Sequence, residues 1–333
     1  MGPDDGNPAA KSTGTGYAHG KAILLGEHTV VYGTPAIALP LPVLPVTASA
    51  GLGGADPTPV MAGIGAVPAV VSRLRCGDGV APRSGPQVAA GKAVQRWGRA
   101  GDVVDVVTCS TVPAARGLGS SAACAAAAVL AVADLYDRTI DAEGLYELVQ
   151  CGEQVAHGRA SGIDARTVTV DPLECGPVWF LAGEVSAIAM GCDASWVIAD
   201  TGVASQTEDA VAAVRAVFEQ DPMWATRVLG KARALVTGAA HDVRAGDITA
   251  LGHKLVIFQG VLAELGVSTP ALDRLVAAAL DAGALGAKLT GGGLGGCILG
   301  LTRTPGDAAR VRSVLERAGA TSTWTIRTRG DTG

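Results

Sequence analysis

Two rhythms of apolar residues divide this chain. Short unbroken apolar runs bounded by glycine or polar residues read as strands, and apolar positions at three- and four-residue spacing read as helices. Residues 21–25 form the first strand, ended by Gly26, and a second apolar stretch at Val30 and Val31 breaks off at Gly33 and Pro35. Residues 51–86 mix glycine and proline with weak periodicity and reveal little. Residues 87–97 suit a helix, and 103–108, dominated by β-branched side chains, suit a strand. The alanine-rich run 124–130 reads as a helix, and 141–156 as a clearer one. Asp141 caps that helix, Leu145, Leu148, Val149, Gly152 and Val155 form one face, and Gly158 stops it. Residues 167–170 are a β-branched run, and 178–181 and 196–199 read as strands. Helices follow at 207–219, 223–240, 248–264 and 269–282, then a strand at 296–301, a helix at 305–318 and a last strand at 322–327.

Strands mixed with helices, without strict strand–helix alternation, point to an α+β fold. A chain of 333 residues is long for one hydrophobic core, so two domains are expected. Composition then removes several function classes. With 48% hydrophobic and 17% charged residues and a mean hydropathy of +0.33, the chain suits a compact protein rich in Ala, Val and Gly. No apolar run approaches the ~20 residues of a spanning helix; residues 122–132 are mostly alanine and run into Asp134. No basic-then-apolar leader opens the sequence, and residues 1–16, small and polar, read as a disordered tail. A net charge of −5 argues against nucleic acid or an anionic membrane as partner. Seven cysteines form no Cys-x-x-Cys pair and sit mostly among apolar neighbours, which points to free thiols in a reducing compartment, the cytoplasm. Five scattered histidines make no metal-ligand pattern.

Four clusters carry candidate chemistry. Gly117-Leu118-Gly119-Ser120-Ser121-Ala122 is a glycine-serine turn feeding the alanine-rich helix. Such a turn either caps the helix or aims unpaired amides and the positive end of the helix dipole at a phosphate. Lys21 opens an apolar strand and Glu27 and His28 follow at its turn, which leaves Lys21 and Glu27 either as a surface ion pair or as members of a site. Glu153 borders the buried face of its helix, where a carboxylate wants a cation, and Asp164 follows a Ser-Gly turn at the mouth of the 167–170 run. Alone, Asp164 also suits a plain turn role. Residues 288–296, Lys-Leu-Thr-Gly-Gly-Gly-Leu-Gly-Gly, formally match Gly-x-Gly-x-x-Gly, but a strand rather than a helix follows, so a dinucleotide fingerprint is a poor fit. This stretch better suits one loop pressing on another loop or a ligand.

In order and spacing, these motifs resemble the GHMP kinases, the superfamily of galactokinase, homoserine kinase, mevalonate kinase and phosphomevalonate kinase. The match spans about residues 20–296 and is closest to the mevalonate kinase branch, in a bacterial form, through residues 21–33 and the 152–164 segment. The resemblance implies two lobes with the active site in the cleft between them. The first, at 17–184, is a mixed α/β lobe like domain 2 of ribosomal protein S5, and the second, at 185–330, is ferredoxin-like. It further implies ATP-dependent phosphorylation of the C5 hydroxyl of mevalonate, a step toward isoprenoids. The turn of Arg116, Gly117, Leu118, Gly119, Ser120, Ser121 and Ala122 would bind ATP, and Ser121 and Glu153 would hold Mg²⁺ through oxygen. Asp164 would be the base, with Lys21 stabilising developing charge and helping to keep Asp164 ionised. Lys21, Glu27, His28, Asp164 and Thr290 would line the substrate, and the third motif would brace the phosphate loop.

The chain departs from the family pattern in three places. His19 stands where many members have proline before the first motif, and Pro113-Ala114-Ala115-Arg116 replaces a Pro-Pro-Gly-Ala lead. Alanine at 115 implies a position with no need of a positive φ. Arg116 either touches phosphate or substrate or faces solvent, and Arg166, two residues beyond Asp164, is open in the same way between the substrate carboxylate and a role away from it. The alternatives to mevalonate kinase chemistry are phosphomevalonate kinase or another small-alcohol kinase of the superfamily, or a non-catalytic nucleotide sensor. A phosphorylated substrate should demand more basic residues than six lysines mostly outside the motifs. A homodimer is left open.

Overall fold

The computed structural model describes residues 10–54, 57–58, 70–77, 79–157, 160–171 and 176–330. In chain order the strands are β1 (Gly14–Leu25), β2 (Ala36–Leu52), β3 (Val70–Gly77), β4 (Val103–Ser110), β5 (Val178–Leu181), β6 (Glu184–Ala187), β7 (Ala194–Asp200), β8 (Gly286–Thr290), β9 (Cys297–Thr302) and β10 (Ser322–Thr328). The helices are α1 (Gly85–Trp97), α2 (Ser120–Leu135), α3 (Ala142–His157), α4 (Ile163–Val168), α5 (Thr207–Gln220), α6 (Pro222–Ala245), α7 (Ile248–Glu264), α8 (Pro270–Asp281) and α9 (Pro305–Arg317). A short 3-10 turn, Val30–Tyr32, takes the place of the apolar stretch expected at Val30 and Val31. The mixture is α+β, as the residue pattern predicts.

The chain divides into two compact units. The first contains residues 1–20, 44–113 and 120–170, and the second 21–43, 114–119 and 171–333. In the first, β3, β4 and the later half of β2 form an antiparallel sheet, and β1 pairs β2. Helices α1, α2 and α3 pack on one another, with α1 on β3 and α2 on β4. The alanines of α2 explain this packing, since small side chains let the helix be buried on most of its faces. The disordered tail expected over 1–16 is corrected from residue 10 on, and residues 1–9 lie outside the described residues. β1 begins at Gly14, and the Lys11 ammonium lies 2.7 Å from Asp134 and 3.1 Å from Asp137.

In the second unit the sheet order is β10-β7-β9-β8, all antiparallel. With α5–α8 between β7 and β8, and α9 between β9 and β10, this is the ferredoxin-like order. The buried Trp196 on β7 ties the sheet together through its indole N–H, which donates to the Thr328 hydroxyl on β10 at 3.1 Å. The hairpin β5–β6 pairs with the first residues of β2. The helix starts in this unit are locally encoded: Asp221, Thr269 and Thr304 each accept a backbone N–H and precede Pro222, Pro270 and Pro305. Such caps contribute about 1 kcal/mol each. Among the described residues no helix is long and apolar enough to cross a membrane, and six cysteines are free thiols.

Candidate active site

The site residues fall into two sets, one in each unit. In the second unit, Lys21 lies within the buried part of β1 and is 2% exposed. Its backbone N–H donates to the Leu118 carbonyl at 2.9 Å and its ammonium to the Gly117 carbonyl at 3.0 Å. Gly119, at φ +74, has no side chain where a Cβ would stand 2.8 Å from Lys21 Cγ. The glycine turn therefore wraps directly over the lysine stem. Leu118 is buried, while Gly117 and Gly119 are half-buried.

The third motif lies against this turn and against the strand that carries Lys21. Thr290 ends β8, accepts the Ile23 N–H at 2.9 Å and donates to the Ile23 carbonyl at 3.1 Å. Its hydroxyl thereby fixes the strand that carries Lys21. Gly291 follows at φ +82, and a Cβ there would stand 2.5 Å from Gly117 Cα, so the two backbones touch.

Glu27 and His28 are both buried, at 2% and 7% exposure. The surface ion pair of Lys21 with Glu27 is not what forms; the ionic partner of Glu27 is Lys288 on β8, which the sequence places at the head of the third motif without a role. Burial pushes the Glu27 carboxyl up and the Lys288 ammonium down, and each opposes the other's shift. His28 sits at φ 61, an uncommon backbone region for a side chain of this size. Its Nε2 lies 2.9 Å from the Gly292 carbonyl. A carbonyl only accepts, so Nε2 carries the hydrogen and Nδ1 is an acceptor. Burial lowers the His28 pKa to about 4, so the ring is neutral near pH 7. Glu27 Oε2 and His28 Nδ1 are buried without a hydrogen-bond partner among the described residues.

Arg116 has a partner that neither sequence reading included. Its Nε lies 3.0 Å from the Asp200 carboxylate and its Nη2 donates to the Gly202 carbonyl at 3.0 Å. The expectation for Ala115 is corrected: its φ is 53. The Ala115 carbonyl accepts the Ser205 N–H at 2.7 Å and an Arg116 N–H at 3.3 Å, contacts that outweigh the roughly 1–2 kcal/mol an L-residue loses there.

In the first unit, Ser120, Ser121 and Ala122 open α2, with the two serines half-buried and Ala122 buried. The Ser121 hydroxyl donates to Glu153 Oε1 at 2.8 Å, and Glu153, on α3, is 4% exposed. Helix packing, α2 against α3, brings these two oxygens together. Gly158 and Arg159, between Glu153 and Asp164, lie outside the described residues.

Asp164 is half-buried in the first turn of α4, not at the mouth of a strand. Tertiary contacts override the β-branched preference of residues 167–170. Thr167 Oγ1 bonds back to the Ile163 carbonyl at 2.7 Å, and α4 packs on α2 and α3. Arg166 reaches Glu143 on α3 through two bonds of 2.6 and 2.9 Å and lies 3.5 Å over the Tyr146 ring. Its guanidinium holds the Glu143 carboxyl below the usual range. His19, in place of the usual proline, is buried with ring nitrogens 2.8 and 3.0 Å from the Gly20 and Val170 carbonyls. It links β1 to the segment just after α4.

Comparison with known proteins adds a second line of findings. The model of the GHMP kinases N terminal domain matches residues 87–170, and that of the GHMP kinases C terminal matches residues 239–321. The chain is 33% identical to the mevalonate kinase of Aeropyrum pernix, covering 94% of this chain and 96% of that one. It is 31% identical to the mevalonate kinase of Pyrococcus abyssi, covering 91% and 92%. The fold is similar to the L. major mevalonate kinase crystallised with R-mevalonate, with a TM-score of 0.79 at 23% identity, covering 98% and 100%.

Proposed function

The chain belongs to the GHMP kinases, and from that premise we propose that it transfers the γ-phosphoryl group of ATP to the C5 hydroxyl of mevalonate. The observation that carries this substrate is the 33% identity to a mevalonate kinase along nearly the whole of both chains.

Phosphoryl transfer asks a protein mainly for positioning and charge neutralisation. In this reading Asp164 accepts the proton of the C5 hydroxyl. That oxygen bonds the γ-phosphorus as the bond to the departing ADP oxygen breaks, and 5-phosphomevalonate results. Lys21 supplies positive charge, and its contact with the Gly117 carbonyl supports a place close to the phosphates. The amides of residues 117–122, at the start of α2, bind phosphate oxygens. Glu27 Oε2 and His28 Nδ1 are acceptors, which suits an alcohol as their ligand.

The donor set fits Mg²⁺. Ser121 and Glu153 offer only hard oxygen atoms, and among the described residues no group of three or more His, Cys, Asp or Glu could form an all-protein metal cage. Magnesium commonly takes one or two protein oxygens and completes its shell with water and substrate phosphate. When bound it neutralises triphosphate charge. The free thiols among the described residues support work in a reducing compartment such as the cytoplasm.

A coupled ADP-release assay with mevalonate, phosphomevalonate, homoserine and galactose in parallel tests the reading, and turnover is expected with mevalonate alone. Asp164→Ala should lose at least about a hundredfold in kcat while ATP still binds. Retention of more than about a tenth of wild-type turnover removes Asp164 as base. Glu153→Gln should need more Mg²⁺ for half-maximal rate, and an unchanged titration takes it out of the metal shell.

A further inference from the structure

Lys288 is a fully buried lysine to which neither the motif pattern nor the proposed chemistry gives a task. It occupies β8, two residues before Thr290, and its side chain is 0% exposed. Its ammonium donates to Glu27 Oε1 and to the Leu289 carbonyl, and lies 3.4 Å from the Ile23 carbonyl. An ammonium has three hydrogens, and these three acceptors account for them. Lys288 therefore has no donor left for a ligand and acts only through the groups it holds.

What it holds is the segment between β1 and the Val30–Tyr32 turn. Glu27 gives one carboxylate oxygen to Lys288 and leaves Oε2 buried without a partner among the described residues. His28, the next residue, is tied through Nε2 to the Gly292 carbonyl and leaves Nδ1 in the same condition. Two neighbouring side chains are thus each fastened on one side to the third motif, and each keeps one acceptor atom unused. A pair of buried acceptors left unsatisfied is costly in a folded protein, and a ligand bearing hydroxyl donors would relieve it.

We propose that Lys288 is a positioning residue for the acceptor alcohol, holding Glu27 so that Oε2 is presented to a substrate hydroxyl. This rests on the reading of the chain as a kinase of mevalonate. Lys288 would then influence the alcohol alone, because Glu27 is its only side-chain hydrogen-bond partner among the described residues. A merely structural lysine would instead disturb both substrates, or neither, and would do so whatever residue stood at 27.

The test is a cycle of Lys288→Met, Glu27→Gln and the double variant, with KM measured separately for mevalonate and ATP. Wild-type turnover of mevalonate is measured first; its absence overturns the reading of function and this proposal with it. With wild-type activity intact, Lys288→Met should raise the mevalonate KM about tenfold or more and leave the ATP KM within about twofold. In the Glu27→Gln background the same substitution should change the mevalonate KM by less than about twofold, since the intermediary is already altered. The double variant carries no buried charge at either position, so it keeps the test decisive if Lys288→Met alone does not fold. An unchanged mevalonate KM in folded Lys288→Met overturns the proposal. So does a parallel rise in both KM values, or a further rise of about fivefold or more in the Glu27→Gln background.

Discussion

Residues 117–121 and residues 291–296 are both rich in glycine, yet the first stretch opens the sixteen-residue helix α2 and the second joins two buried strands, β8 and β9. In the first, Gly117, Gly119, Ser120 and Ser121 are half-buried, with the amides of a helix start among them. In the second, the glycines serve contact between backbones: Gly291 meets Gly117, and the missing Cβ of Gly293 would stand 2.3 Å from the Val267 carbonyl. Glycine density alone does not say whether a ligand or another piece of chain comes close. The element that follows does, because a helix start leaves amides unpaired whereas a strand pairs them.

The comparison breaks most decisively at Gly291. Alanine there combines a positive φ with a backbone clash against Gly117, and should cost about 4 kcal/mol, read from urea midpoints. A loss below about 1 kcal/mol would mean the third motif does not brace the first turn.

His28, fastened to the Gly292 carbonyl, gives the next largest effect. The unfolded chain binds a proton at this residue near pH 6.5, whereas the folded chain waits until about 4. Its contribution is therefore complete above pH 6.5 and is lost as pH falls from 6.5 to 4, by roughly 3 kcal/mol in all. Denaturant titrations across that range should show His28→Gln losing this part of the acid slope. An identical slope in both proteins would mean His28 is not held neutral.

Gly119→Ala should have the smallest effect on stability and a clear one on rate. Its φ strain costs about 1–2 kcal/mol, and the added methyl meets the flexible Lys21 stem rather than backbone. Turnover should nonetheless fall about tenfold as the ammonium is displaced. If stability collapsed while the rate per folded molecule held, the two glycine stretches would be doing the same job.

Two arginines show where sequence reading stops. Arg116 and Arg166 stand beside the second and base motifs, and nothing in their neighbouring residues points to the carboxylates that pair with them. Asp200 and Glu143, 84 and 23 residues away, are those partners. Lys288 and Glu27 are 261 residues apart, and nothing local in either neighbourhood announces the pair.

By itself the sequence determined the helices of the second unit and the motif residues. Helical periodicity, the cap-proline pairs at 221–222, 269–270 and 304–305, and the glycine-serine turn are all written within a few neighbouring positions. Only the tertiary structure decided β2, α4 and the partners of the buried charges. β2 carries Pro40, Pro42 and Pro45, which locally argue against a strand, yet it pairs β5 through residues 36–38 before them and β4 through residues 46–52 after them. α4 is a helix despite its β-branched residues because Arg166, Glu143 and Tyr146 hold it. Such outcomes depend on groups distant in sequence, whose contact energy appears only once the chain has closed on itself.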